Sequence, residues 1–160
     1  MFTLFKKKAE PFVVSAPISG KLIDLADVND EVFSEKMMGD GFAVIPAESK
    51  SIVSAPVSGV IEMVADTMHA VGIKNDDGVE ILVHIGLDTV TLNGQGFKSF
   101  IKAGKRISRG DKMIEFDPEF MKEKGIDMTV MTIFTSGYDK DIVLDVAYNT
   151  QVAPNSVLLD

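Results

Sequence analysis

Thr67-Met68-His69-Ala70-Val71-Gly72-Ile73-Lys74-Asn75-Asp76-Asp77-Gly78-Val79-Glu80-Ile81-Leu82-Val83-His84-Ile85-Gly86 reads as two strands joined by a tight turn, and it carries both histidines of the chain. From Val79 to Leu87 every odd position is aliphatic, while the even positions hold Glu80, Leu82, His84 and Gly86. Such alternation marks a strand with one buried face and turns His84 away from the core. Asn75-Asp76-Asp77-Gly78 supplies turn-tolerant side chains and a glycine for positive φ.

Two registers compete for this hairpin. If Lys74 opposes Val79, paired residue numbers sum to 153 and His69 faces His84 directly, with Val71 opposite Leu82 and Ile73 opposite Glu80 on the same face. The other face then pairs Met68 with Ile85, Ala70 with Val83 and Gly72 with Ile81. A three-residue loop with a bulge at Gly78 instead gives sums of 154 and separates the histidines onto opposite faces. Both bury plausible apolar sets. The 153 register is the expectation, because the alternative presses His69 against Ile85 without a polar partner, at a cost on the order of 1 kcal/mol or more. A lone strand histidine is usually structural, whereas two histidines meeting across a ladder point to chemistry.

Composition narrows the classes further. The chain of 160 residues, 46% hydrophobic, can bury one substantial core, which predicts one domain over residues 13–160 preceded by a flexible arm over residues 1–12. With no cysteine there are no disulfides, thiol nucleophiles or thiolate ligands, a pattern that suits a reducing cytoplasm. No apolar run approaches the ~20 residues that span a bilayer. A net charge of −8 argues against a nucleic-acid partner.

An internal repeat organises the first half. Val14-Ser-Ala-Pro-Ile-Ser-Gly20 recurs as Val53-Ser-Ala-Pro-Val-Ser-Gly59, each reading as a strand entering a corner. Further strands are predicted at 44–45, 60–64, 112–116, 130–134, 142–146 and 156–159, so the fold class is all-β, an antiparallel sandwich or partly closed barrel with a duplicated motif. One or two short surface helices are expected, the well-signalled one having Asp117 as N-cap, Pro118 in the first turn and Gly125 as stop.

The segment from Gly78 to Val90, with Val-Glu-Ile-Leu-Val-His84-Ile-Gly-Leu-Asp88-Thr89, resembles the phosphorylation signature of glucose-type enzyme IIA of the phosphoenolpyruvate:sugar phosphotransferase system. Thr67-Met-His69-Ala and Val32-Phe33-Ser-Glu-Lys36-Met-Met-Gly39-Asp40-Gly41 are similar to two further motifs of that family, in the same order. The resemblance implies a phosphocarrier that takes phosphoryl from the histidine-phosphorylated protein HPr on His84 and passes it to the cysteine of a separate IIB domain. It implies that His69 supports transfer and that Thr67 hydrogen-bonds at the site. It raises Phe33 and Met38 as docking residues, beside Val71 and Val90, and places Asp30 and Asp88 where relatives meet a basic residue of HPr. Regulatory protein targets of the kind some relatives have remain open.

The chemistry needs no cofactor and no metal, because a neutral imidazole can itself take up and release a phosphoryl group. Two other classes fit some of the residues. Two histidines and an aspartate could hold zinc, as in lysostaphin-like peptidases of related duplicated β architecture, although catalytic zinc usually has three protein ligands. A biotinyl- or lipoyl-type carrier is echoed by Ala55-Pro-Val-Ser-Gly59 and by residues 104–111, yet Glu35-Lys36-Met37-Met38 has the wrong order for a modified lysine. Met1-Phe-Thr-Leu-Phe-Lys-Lys-Lys8 combines apolar side chains with a lysine cluster and suggests a peripheral contact with anionic lipid, its alternative being a floppy terminus.

Overall fold

The computed structural model describes residues 12–160. The lysine-rich arm and its lipid contact lie outside the described residues. Phe12, the last residue assigned to that arm, packs its ring 6.0 Å from Phe134 and 5.5 Å from Tyr138.

The strands are β1 (Val14–Ser15), β2 (Gly20–Asp24), β3 (Asp40–Pro46), β4 (Ile52–Ser54), β5 (Gly59–Val64), β6 (Ala70–Lys74), β7 (Glu80–Ile85), β8 (Phe97–Ser99), β9 (Arg106–Ile107), β10 (Lys112–Phe116), β11 (Val130–Ser136), β12 (Gln151–Val152) and β13 (Val157–Leu159). Eight of them form one sheet in the order β12-β2-β3-β11-β7-β6-β5-β9. A three-stranded sheet, β4-β10-β8, and the pair β1-β13 complete the strands among the described residues. Every pairing is antiparallel. The result is a sandwich, not a closed barrel.

The repeat is a structural duplication. In each copy a short strand ends at the Ala-Pro corner and the trailing glycine opens the next strand. The two corners bond each other reciprocally: Ser15 N–H donates to Pro56 O at 2.8 Å, and Ser54 N–H donates to Pro17 O at 2.7 Å. The glycines are required by close approach, since a Cβ at Gly20 would lie 2.0 Å from Ile45 O and one at Gly59 would lie 2.2 Å from Lys74 O.

Two apolar clusters flank the large sheet. The main core takes Val71 and Ile73 from β6, Ile81, Val83 and Ile85 from β7, and Val130 and Phe134 from β11. The opposite face carries a smaller cluster, with Ile23, Ala43, Met131 and Ile133 covered by Leu25, Val28 and Phe33. Phe33 belongs to α1 (Glu31–Ser34), whose N-cap Asp30 accepts from Val32 N–H at 2.9 Å. The predicted helix appears as α2 (Pro118–Glu123), capped by Asp117 and followed by Gly125 at φ 69°.

The 153 register is not the one formed. Val71 pairs Val83, Ile73 pairs Ile81 and Ala70 pairs His84, all summing to 154. The loop is Asp76-Asp77-Gly78, closed by Asn75 N–H donating to Val79 O at 2.9 Å, with Gly78 at φ 86°. The physical reason is parity. Both strands carry their branched aliphatics at odd positions, and only an even sum turns both sets onto one face. The 153 register would have exposed Val71 and Ile73, each worth about 1.5–3 kcal/mol when buried, against about 1 kcal/mol for one imidazole.

The predicted strand at 142–146 is also absent. Ile142, Leu144 and Val146 are half-buried against the main core while Val143 is exposed, so the alternation is real. However, the segment joins its neighbour through Asp145 N–H donating to Leu158 O at 2.7 Å, without a ladder. No helix among the described residues is long and apolar enough to cross a membrane.

Candidate functional site

His84 stands on the outer face of β7 at the edge of the smaller cluster. Its Nδ1 lies 3.0 Å from Gly86 O, an acceptor only, so Nδ1 carries the proton and Nε2 is left with its lone pair. Gly86 has φ 78°, and a Cβ there would meet Thr89 Cγ2 at 2.5 Å and Met128 Sδ at 2.9 Å. The glycine therefore bends the chain so that its own carbonyl reaches back to the imidazole. The Phe33 ring packs against His84 at 4.7 Å between centroids. Burial, and secondarily the neighbouring His69, push the His84 pKa from 6.5 down to about 4, against the opposing pull of the Gly86 carbonyl, Asp30 and Asp88.

His69 reaches the same place by a route independent of ladder register. The β5–β6 hairpin closes where Ala65 N–H donates to Ala70 O at 2.9 Å, which leaves Asp66-Thr67-Met68-His69 as loop. Met68, at φ 60°, breaks the strand alternation just before His69. The His69 backbone still accepts from Ile85 N–H at 2.7 Å, while its ring lies 5.1 Å from that of His84, at 77°. Thr67 Oγ1 sits 2.5 Å from His69 Nδ1. Burial also lowers the His69 pKa. The structure thus brings His84, His69 and Thr67 together, and small Ala70, paired with His84, adds no bulk beside the ring.

The predicted docking residues divide. Met38 and Val90 are exposed, at 41% and 52%, and Asp88 is exposed as well. Asp30 is half-exposed and serves as the α1 cap. Phe33 is only 5% exposed, so its ring backs the histidine more than it forms surface. Val71 is wholly buried in the main core and cannot touch a partner, a direct consequence of the 154 register. Sequence reasoning overlooked Gly86 as an orienting group; the signal was a glycine two residues after a strand histidine. Among the described residues no three His, Asp or Glu side chains gather to hold a metal ion.

Gly86→Ala should destabilise the fold by about 1–3 kcal/mol through its positive φ and lack of space, and should slow any chemistry at His84 by displacing the acceptor. Urea unfolding and the Nδ1–H proton resonance of His84 measure the two effects.

The sequence matches the profile of the phosphoenolpyruvate-dependent sugar phosphotransferase system EIIA 1 family over residues 12–139. It is 44% identical over 133 residues to a PTS system glucose-specific EIIA component of Halalkalibacterium halodurans, covering 83% of this chain and 75% of that protein. It is 43% identical over 126 residues to a PTS system glucosamine-specific EIICBA component of Bacillus subtilis, covering 79% of this chain and 20% of that longer protein. Its structure superposes on glucose permease IIA from Mycoplasma capricolum with a TM-score of 0.83 and 39% identity, covering 97% of each chain. The chain belongs to the EIIA 1 family of the phosphoenolpyruvate-dependent sugar phosphotransferase system.

Proposed function

We propose that this phosphocarrier of the sugar phosphotransferase system accepts phosphoryl from phospho-HPr on Nε2 of His84 and donates it to the cysteine of a separate IIB domain in the cytoplasm. The observation that carries this reading is the bond from His84 Nδ1–H to the Gly86 carbonyl, which leaves Nε2 as the nucleophile beside a second imidazole. In the forward step the donor's N–P bond breaks as the Nε2–P bond forms, and the proton stays on Nδ1, still donated to the Gly86 carbonyl, as the ring becomes positive. If the Thr67 hydroxyl donates to His69 Nδ1, the His69 proton lies on Nε2, from which it can donate to an equatorial phosphoryl oxygen. Preorganisation of this kind favours transfer between proteins without activating water.

Incubation with phosphoenolpyruvate, enzyme I and HPr, followed by peptide mapping, should place an acid-labile phosphoryl group on the peptide containing His84. Label confined to another peptide would refute the reading. The two relatives are named for different sugars at nearly equal identity, which supports leaving sugar choice to the partner chains.

Asp30→Lys or Asp88→Lys should slow association with HPr, chiefly at low salt, because exposed rim charges act on encounter and are screened. Stopped-flow transfer at two ionic strengths tests each residue, and unchanged low-salt rates remove it from the docking surface.

Because the folded-state pKa of His84 is about 4, the ring is a neutral nucleophile through pH 7 and 6 and gains its proton only near pH 4. Acceptance should therefore show no inflection near 6.5 in single-turnover assays. The sign for stability follows from linkage: a histidine held neutral stabilises fully above 6.5, and its contribution is lost as pH falls from there towards 4. His84→Gln should flatten that part of the urea-midpoint profile.

A further inference from the structure

The span from Lys98 to Lys112 holds six Lys or Arg against one Asp, so the remaining residues hold ten basic against twenty-three acidic. That segregation coincides with a concavity. Residues 99–102, 105–107 and 111–112, with Ile61, line an open groove of about 680 Å³. Ile61 and Ile107 are buried at its floor, and Phe100, 41% exposed, stands at its wall. Lys112 Nζ lies 4.0 Å and Lys98 Nζ 5.1 Å from the Phe100 ring centre, which ties two ammonium groups to the aromatic wall.

The charges are only partly answered by the protein. Arg106 is committed to Asp76, and Lys112 approaches Glu115 at 3.7 Å across exposed surface. The Asp111 carboxylate accepts from Ser108 N–H at 3.0 Å. Lys102 and Lys105 have no ion-pair partner among the described residues. The cavity sits where β9 pairs the start of β5, whereas His69 follows the end of β5. Four residues of β6–β7 ladder separate the Lys74–Glu80 pair beside it from the Ala70–His84 pair, roughly 13 Å along the strands.

We infer that this groove binds a small phosphate ester, with phosphoryl oxygens on Lys102, Lys105 and Lys112 and the carbon skeleton against Phe100. A concave site lined by the buried Ile61 and Ile107 and by three lysines fits a compact anion better than it fits a flat bilayer. The phosphoryl-transfer histidines remain free when it is filled, so binding and transfer are separable.

The test is NMR titration of the full chain with glucose 6-phosphate at low salt, beside glucose, inorganic phosphate and phosphatidylglycerol vesicles. Saturable shifts centred on Phe100, Lys102, Lys105 and Ile107 are expected, with an affinity in about the millimolar range or tighter. Lys102→Glu combined with Lys105→Glu should weaken binding at least about tenfold while phosphoryl acceptance from HPr stays at the wild-type level. Shifts centred on His69 and His84, or no saturable shift, overturn the proposal. Equal response to inorganic phosphate means an adventitious ion only, and vesicle binding lost in the double variant without ester shifts means a lipid surface; either outcome also overturns it.

Discussion

His84→Ala should abolish phosphoryl acceptance from phospho-HPr, a fall of at least about 10⁴-fold in the single-turnover rate. The expectation follows from chemistry that no neighbour can replace. Only His69 among nearby groups is another imidazole, and its Nδ1 is engaged by Thr67. The fold should survive, because His84 lies on the outer face and the main core is built from the odd residues of β7. A urea midpoint near that of the wild type would separate lost chemistry from lost structure. Full labelling of a folded variant would assign the phosphoryl group elsewhere.

His69→Gln separates the two halves of the cycle. Glutamine keeps an amide but loses the ring that sits 5.1 Å from His84 and is oriented by Thr67. Acceptance should persist, since the Nε2 nucleophile and its Gly86 bond are untouched. Donation to a IIB domain should fall by about 10²–10³-fold, the scale expected when one preorganised donor to a developing phosphoryl charge is removed. Quenched-flow measurements in both directions test this, and donation at the wild-type rate would show that the imidazoles do not cooperate.

Much of the architecture was legible because its causes are local. The odd aliphatic stripe from Val79 to Ile85 specified which face of β7 is buried, although Leu87 passes to the smaller cluster, and the Asp117-Pro118…Gly125 punctuation specified α2. The duplicated Ser-Ala-Pro segments marked two equivalent corners, although their reciprocal backbone bonds are visible only in three dimensions. The hairpin register was misjudged although its determinant was present. Val71 and Ile73 share odd parity with Val83 and Ile81, and the burial of four branched side chains outweighs the direct opposition of two rings.

The imidazoles nevertheless meet, because His69 is not a strand residue at all. A positive φ at Met68 cannot be read from methionine, whose side chain gives no preference for that region. The same limit hid Gly86, whose carbonyl orients His84 only after the chain bends. Val71 failed as a docking residue for the same reason as the register, while the second short helix went unplaced because a four-residue α1 over Glu31–Ser34 has too little periodicity to announce itself.

Nε2 of His84 should be the nucleophile because the Gly86 carbonyl holds the proton on Nδ1. Long-range ¹H–¹⁵N correlation NMR of ¹⁵N-labelled protein, before and after phosphorylation by phosphoenolpyruvate, enzyme I and HPr, measures this directly. The expected result is an Nδ1–H tautomer for His84 in the free protein and phosphorus coupling at its Nε2 afterwards. A phosphoryl group on Nδ1 of His84, or on either nitrogen of His69, would contradict it.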